Sequence, residues 1–273
     1  MQRIVVGLSI GLLLAGGCAK KSALPTTASG LSLASGSIRV LCYNIHHANP
    51  PAQPAVIDLD AIASVIRAAA PDVVMLQEVD VHTRRSGSTV DEAAELGKKT
   101  GMTAYFVKAI DHDGGDYGVA ILSKYTMTNR RRIPLPTDAS TKGEPRVLGL
   151  ADIKLPGKKI VTLACTHLDA QRAPINRHLQ AAEIARLLKQ ETQPVILAGD
   201  FNDTPDSETL RLVKDVVQLS CTTCEPTIPV NQPTKTIDFV TFRPEGSFRV
   251  IEQKVIPERE ASDHLPVMAV LGY

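Results

Sequence analysis

Short apolar runs that end in polar residues recur along the chain and predict most of its secondary structure. Residues 195–198 are apolar and precede Gly199, Asp200 and Asn202, a pattern typical of a buried strand that ends in a turn. The same pattern predicts further strands at 38–45, 73–76, 105–107, 117–122, 127–133, 146–154, 160–166, 237–242, 249–256 and 266–271. Helical spacing of apolar residues predicts helices over 60–70, 91–100, 177–190 and 207–213.

Local signals fix some of these boundaries. Asp58 is a typical cap for the first helix, and Gly101 is a typical residue to end the second. Pro156 and Gly157 predict a hairpin turn between 146–154 and 160–166. In the third helix, the residues predicted to face inward are Leu179, Ile184, Leu187 and Leu188.

Strands outnumber helices, and many of the strands are apolar on both faces. Such strands must be covered on both sides, which favours two sheets packed face to face with helices outside. The polar ends of the strands then gather along one rim between the sheets.

The N-terminus has the layout of a targeting segment. Arg3 precedes an apolar run over 4–14, and small residues lead to Cys18. This predicts a signal peptide over 1–17 that resembles a bacterial lipoprotein signal, with Cys18 lipidated, a tether over 18–36 and one domain over 37–273. An ordinary signal peptide with an incidental Cys18 is the alternative. We expect an exported protein, lipid-anchored at the bacterial cell envelope.

The composition disfavours a protein dedicated to binding nucleic acid. The net charge is +1, aromatic residues make up 4%, and Trp is absent. The basic clusters at 84–85 and 130–132 are therefore interpreted as solvated surface or local phosphate contacts. Nucleic acid is a possible but not a favoured partner, and we expect a monomer.

The cysteines other than Cys18 divide into two kinds. Cys42 and Cys165 lie in apolar strands and are predicted to be buried. Cys221 and Cys224 are compatible with a disulfide in an exported protein. A zinc site or a redox pair is less favoured, because no second Cys/His pair accompanies them in the sequence. The sequence leaves their bonding open.

Polar groups with catalytic chemistry stand at the strand ends. Glu78 and Asp263 are oxygen donors of the kind that Mg²⁺ prefers, whereas His and Asp pairs serve proton transfer. Each residue alone is explained as a surface acid, a turn cap or a core histidine, but their coincidence at strand ends favours one site. The candidates are Asn44, Glu78, Tyr117, His167, Asp200, Asn202, Asp238, Asp263 and His264.

The motifs around these residues resemble, in order, those of the endonuclease/exonuclease/phosphatase family, and segments 80–87 and 114–123 resemble its bacterial metal-dependent hydrolases. The resemblance implies an α+β fold, a four-layer α/β/β/α sandwich of two mainly antiparallel sheets, and Mg²⁺- or Mn²⁺-dependent cleavage of a phosphate ester. It rests on Tyr43-Asn44-Ile45, Leu76-Gln77-Glu78-Val79, Gly118-Val119-Ala120-Ile121-Leu122-Ser123, Thr166-His167-Leu168, Gly199-Asp200-Phe201-Asn202, Ile237-Asp238-Phe239 and Ser262-Asp263-His264-Leu265-Pro266-Val267.

The resemblance also implies a metal and a water position. Glu78 would bind the metal, with Asn44 and Asp263 close by. Asp200 would orient or deprotonate the attacking water, and Asn202 would hold a phosphate oxygen.

The remaining matched residues would contact the phosphate, stabilise its negative charge or transfer a proton. His264, paired with Asp238, would polarise the phosphoryl group or transfer a proton, and His167 would donate to the phosphate or the leaving group. Tyr117 and Arg146 match looser positions and are expected to contact phosphate only.

The chain departs from the family pattern at one position. Many nuclease members carry an acid two residues beyond the first-strand Asn, where this chain has His46. His46 and His47 are therefore expected to line the pocket or to bind a softer metal such as Mn²⁺.

Three functions are compatible with these patterns. The favoured one is a metal-dependent phosphoesterase that hydrolyses a phosphodiester or phosphomonoester of a small or lipid-derived molecule. An anchored nuclease is the alternative. A non-catalytic binding module is disfavoured, because unpaired acids gathered in a pocket are costly without a metal.

Lipidation is testable with a Cys18→Ala variant. Without the thiol no lipid is attached, so the protein should move from the membrane fraction to the soluble fraction of the exported material. Immunoblots of both fractions, with Ser22→Ala as the control, measure this, and unchanged membrane retention would contradict lipidation.

Overall fold

The structure is a computed structural model that describes residues 36–273, without the side chain of Lys158. The signal peptide, Cys18 and nearly all of the tether lie outside the described residues, so those expectations remain predictions. No helix between residues 36 and 273 is long and apolar enough to cross a membrane.

Residues 36–273 contain twelve strands and four α-helices. The strands are β1 (Ser37–Asn44), β2 (Val73–Val81), β3 (Thr103–His112), β4 (Gly115–Ser123), β5 (Thr128–Pro134), β6 (Val147–Lys154), β7 (Ile160–His167), β8 (Val195–Asp200), β9 (Gln218–Leu219), β10 (Asp238–Arg243), β11 (Arg249–Val255) and β12 (Val267–Gly272). The helices are α1 (Leu59–Ala69), α2 (Glu92–Thr100), α3 (Ile175–Gln190) and α4 (Glu208–Lys214).

The strands form two six-stranded sheets, which confirms the predicted sandwich. The first sheet has the order β11-β12-β1-β2-β4-β3, and the second has the order β5-β6-β7-β8-β10-β9. Both are mainly antiparallel, with one parallel pair each, β1 with β2 and β7 with β8. A parallel pair needs a crossover connection, and α1 and α3 provide these two.

Three apolar layers hold the sandwich together. Side chains such as Val40, Leu163 and Phe242 fill the space between the sheets. Helices α1 and α2 cover the outer face of the first sheet, and α3 and α4 cover that of the second. Because the central strands are buried on both faces, their sequences are almost continuously apolar.

The predicted helix boundaries have clear causes. Asp58 accepts a hydrogen bond from the Ala61 amide at 2.9 Å and so caps α1, and Gly101 ends α2 with φ 68°. The prediction that Leu179 faces inward is wrong, since this side chain is 42% exposed. It lies five residues, about 140°, around α3 from the buried Ile184.

Some strands extend further than the sequence predicts. Strand β2 runs on to Val81, with an irregular pairing between Gln77 and Val79. Most of the predicted loop at 111–116 belongs to β3 and β4, so that only Asp113 and Gly114 connect them. The pattern missed β9 because a two-residue strand carries no periodicity.

Gly199 allows β7 and β8 to approach closely beside the predicted site. A Cβ at this position would lie closer to the Thr166 carbonyl oxygen than van der Waals contact permits. Gly199→Ala should therefore lower the free energy of unfolding by about 1–3 kcal/mol, the usual cost of overpacking, in urea titrations.

The matched control is Gly157→Asn. Gly157 has φ 80° and open space around its Cβ position, and Asn tolerates the left-handed region better than most residues. An unfolding midpoint of Gly199→Ala equal to that of the wild type would contradict the close-packing argument.

Candidate active site

The ends of four strands bring the predicted residues to one rim. His167 ends β7 and pairs with Asp200 at the end of β8, which in turn pairs with Asp238 at the start of β10. Asn44 ends β1 of the other sheet. The sheet register therefore gathers residues far apart in sequence, as the strand-end pattern predicted.

Asn44 connects the two sheets at this rim. Its side-chain nitrogen Nδ2 donates to Glu78 Oε1 at 3.0 Å and to Asp200 Oδ2 at 3.1 Å. Its Oδ1 accepts from the His46 amide at 3.1 Å. The structure thus places Asn44 as a bridge between Glu78 and Asp200, and its role as a metal ligand remains a prediction.

Glu78 lies at the irregular position of β2. Its φ of 58° falls in the left-handed region, where the strand departs from regular pairing with β4. One carboxylate oxygen of Glu78 and one ring nitrogen each of His46 and His47 lie within 4.8 Å of one another. Asp263 is outside this group, and its Oδ1 is buried with no hydrogen-bond partner in the described part of the chain.

His264 lies between two buried carboxylates. Its Nδ1 is 3.0 Å from Asp238 Oδ2, and its Nε2 is 3.8 Å from Asp200 Oδ2. Burial alone would lower the pKa of His264, but the Asp238 and Asp200 carboxylates outweigh it and raise the pKa to about 10. His264 is therefore an imidazolium at neutral pH.

Asp200 lies at the centre of the site and is 1% exposed. Its Oδ1 accepts from the Asn202 amide at 2.7 Å, and its Oδ2 is 3.5 Å from His167 Nε2. Burial and the neighbouring Asp238 carboxylate raise the pKa of Asp200 above its ordinary value. A raised pKa suits a carboxylate that accepts a proton near neutral pH.

His167 is neutral and has a defined tautomer. The Asn202 Nδ2 group donates to the Leu168 carbonyl at 2.9 Å and is 2.9 Å from His167 Nε2, which must then be the acceptor. The proton is on Nδ1, which is buried and has no partner among residues 36–273. Burial, Arg146 and His264 hold the pKa of His167 well below its ordinary value.

Asn202 thus orients His167 through its side-chain nitrogen. The expected contact of Asn202 with a phosphate oxygen remains a prediction, because the same nitrogen already makes two hydrogen bonds.

Tyr117 lines a small cleft next to these residues, and Arg146 forms an ion pair at 3.1 Å with Glu144 of the same lining. Both are largely buried, and the guanidinium of Arg85 lies 5.6 Å from the centre of the Tyr117 ring. The cleft has a volume of about 90 Å³ and is lined by Arg85, His112, Tyr117 and Glu144. A cavity of about 870 Å³ between β9 and β11 contains none of the predicted site residues.

Two residues of the site were not assigned from the sequence. Thr227 donates its hydroxyl to Asp238 Oδ2 at 2.6 Å, and no local pattern indicated this contact. Arg85 makes two hydrogen bonds to Asp80, at 2.7 and 2.9 Å. The one sequence feature that could have indicated Arg85 is the resemblance of segment 80–87 to bacterial hydrolases. The neighbouring Arg84, by contrast, has an exposed side chain.

The cysteine alternatives are resolved in favour of the disulfide. Cys221 and Cys224 are bonded to each other. Cys42 and Cys165 are free and buried, as predicted.

The donor set fits a divalent cation. Glu78, His46 and His47 offer an oxygen and two nitrogen ligands, and the unpartnered Oδ1 of Asp263 is a further acceptor on the same rim. Carboxylate and imidazole groups are ordinary ligands for Mn²⁺ and Zn²⁺.

Comparisons with known proteins agree with this fold. The model of the endonuclease/exonuclease/phosphatase family matches residues 41–264. The Escherichia coli protein YbhP is 25% identical over 247 residues, which cover 85% of this chain and 95% of YbhP.

Solved structures give the same result. An endonuclease/exonuclease/phosphatase protein from Beutenbergia cavernae superposes with a TM-score of 0.73 at 25% identity, over 86% of this chain and 71% of that one. The mannosyl-6-phosphatase of Bacteroides thetaiotaomicron has the same fold, with a TM-score of 0.71 at 19% identity over 86% of this chain and 100% of that one.

The chain therefore belongs to the endonuclease/exonuclease/phosphatase family, whose members are phosphoester hydrolases. This confirms the resemblance and the fold predicted from the motifs.

The Asp238–His264 pair generates a prediction about proton affinity. Asp238→Asn removes the carboxylate that most strongly raises the pKa of His264, while burial continues to lower it, so this pKa should fall below its value of about 10. A pH titration of the histidine ring nitrogens by NMR, on metal-free protein, measures it.

Asp263→Asn is the matched control. Asp263 contributes least among the carboxylates that raise the pKa of His264 and makes no hydrogen bond to its ring, so the shift should be smaller. An unchanged His264 pKa in Asp238→Asn would show that this pair does not hold the proton.

Proposed function

We propose that this protein is a metal-dependent phosphoesterase in which water attacks the phosphorus of a phosphodiester or phosphomonoester. The observation that carries the proposal is the position of Asp200. This buried carboxylate lies 3.1 Å from the Asn44 amide nitrogen and 3.8 Å from His264 Nε2, with the unprotonated Nε2 of His167 at 3.5 Å, so a base, two donors and a second histidine surround one point.

Asp200 is the group that accepts the proton of the attacking water. Asn44 and the Asn202 backbone amide fix its two oxygens, and its raised pKa allows it to hold that proton near neutral pH. Its burial excludes bulk water from the same position.

The two histidines act on the phosphate oxygens. His264 is kept protonated by Asp238 and presents Nε2 on the side of Asp200, where it stabilises negative charge that develops in the transition state. His167 donates from its unpartnered Nδ1 to a phosphate oxygen or to the leaving group.

A divalent cation, Mg²⁺ or Mn²⁺, would be held by Glu78 with Asn44 and Asp263 nearby. When bound, it supplies positive charge that neutralises the phosphate oxygens. Asn44 fixes the position of Glu78 relative to Asp200, because its Nδ2 donates a hydrogen bond to each carboxylate.

The preferred substrate is a small or lipid-derived phosphate ester. The cleft beside the site is small, about 90 Å³, and Arg85, His112 and Tyr117 in its lining are donors that suit a compact anionic group, while the lining acid Glu144 is paired with Arg146. A near-neutral net charge of +1 and 4% aromatic residues favour this substrate over nucleic acid.

We place the enzyme at the bacterial cell envelope, as a monomer anchored through a lipid on Cys18. The signal-like segment before Cys18 supports this location. The Cys221–Cys224 disulfide is consistent with it, since disulfides persist mainly outside the cytosol.

Hydrolysis of chromogenic esters tests the function. The domain from Ser37 onward should hydrolyse p-nitrophenyl phosphate or bis(p-nitrophenyl) phosphate with Mg²⁺ or Mn²⁺ and lose activity with chelator. Asp200→Asn, which removes the base, should lower kcat by about 10²–10⁴-fold.

Asp206→Asn is the matched control, because Asp206 is exposed in the loop that follows Asp200 and should retain full activity. Equal turnover by Asp200→Asn and the wild type would contradict the assigned base. Failure of both esters with every metal would contradict the small-ester assignment, and salt-sensitive retention of nucleic acid would then favour the nuclease alternative.

A further inference from the structure

His46 and His47 lie beside Glu78 and have no part in the proton transfers described above. One ring nitrogen of each and one Glu78 oxygen lie within 4.8 Å of one another. Around one cation with bonds of about 2.0–2.2 Å, neighbouring ligand atoms lie about 3–3.5 Å apart. Small side-chain rotations therefore bring all three onto one ion.

The ring of His46 has the hydrogen bond typical of a metal-binding histidine. Its Nδ1 lies 2.9 Å from the Asn49 carbonyl oxygen, which only accepts. Nδ1 therefore carries the proton, and the lone pair of Nε2 is left for a ligand. Such a bond to a backbone carbonyl fixes the tautomer and the orientation of metal-binding imidazoles.

The ring of His47 has an unsatisfied nitrogen. Its Nδ1 is buried and has no hydrogen-bond partner in the described chain. A buried polar atom without a partner is unfavourable, and coordination of an ion through this nitrogen would give it one. The two rings lie close together, with centroids 4.6 Å apart.

The backbone holds this arrangement in an unfavourable conformation. His46, His47 and Ala48 have φ values of 48°, 42° and 54°, in the left-handed region. This region is unfavourable for any residue other than glycine, because Cβ approaches the following carbonyl oxygen. Hydrogen bonds from the His46 amide to Asn44 and from the Asp58 amide to the Ala48 carbonyl fix the turn at both ends.

We infer that His46, His47 and Glu78 form a binding site for a first-row transition-metal dication, with two nitrogen ligands, that favours Mn²⁺ over Mg²⁺. Imidazole suits transition metals, whereas Mg²⁺ prefers oxygen ligands. The inference concerns the metal of the proposed phosphoesterase, but metal binding is measurable whether or not any ester is hydrolysed.

Calorimetric titration of the metal-free protein with MnCl₂ and with MgCl₂ tests the site. His46→Asn and His47→Asn each keep a residue that tolerates positive φ but remove the imidazole. Each should weaken Mn²⁺ binding at least tenfold and Mg²⁺ binding less than threefold.

His82→Asn is the matched control. His82 is also a histidine with positive φ, 58°, but it is exposed and outside the cluster, so both affinities should stay at wild-type values. Thermal unfolding of each variant shows whether it is folded.

Pulsed EPR of the Mn²⁺-loaded wild type is independent of any variant. It should show ¹⁴N couplings from directly bound imidazole. Absence of these couplings, or Mn²⁺ affinity unchanged in both histidine variants, would overturn the inference. Nitrogen ligation in a protein that hydrolyses no ester would uphold the metal site and count against the proposed function alone.

Discussion

The sharing of one imidazolium by two buried carboxylates is the constraint on which the site depends. Asp200 and Asp238 are 1% and 2% exposed and face each other across neighbouring strands. Two like charges so close together and so far from water would be strongly unfavourable alone. His264 contacts Asp238 directly and approaches Asp200, so its positive charge offsets the repulsion between the two carboxylates and stabilises both of them in the buried site.

The two sheets make different contributions to this arrangement. The second sheet provides His167, Asp200 and Asp238 from the ends of adjacent strands, at positions fixed by their register. The first sheet provides Asn44 and Glu78, where a local irregularity turns Glu78 toward the rim. Asn44 joins the two parts through one amide nitrogen, so packing of the sheets determines the distance from Glu78 to Asp200.

The sequence predicted the fold and the position of the rim well, for physical reasons. Strands buried on both faces are apolar throughout, and strand ends show the abrupt change to polar residues seen at Asn44, His167 and Asp200. The prediction failed where the pattern was weak or non-local. Leu179 is apolar but lies about 140° around α3 from the buried Ile184, on the exposed face, and the hydrogen bond from Thr227 to Asp238 joins a loop to a strand. The left-handed turn at His46 and His47 has no signature in residue types, because glycine is absent from it.

The central claim is that water attacks phosphorus under the control of Asp200 and His264. Hydrolysis of p-nitrophenyl phosphate, or of its diester if that is the faster substrate, in water enriched in ¹⁸O tests this claim most directly. Mass spectrometry should find the label in the phosphorus-containing product and none in p-nitrophenol. Label in p-nitrophenol would mean attack at carbon, and it would contradict the roles assigned to both residues.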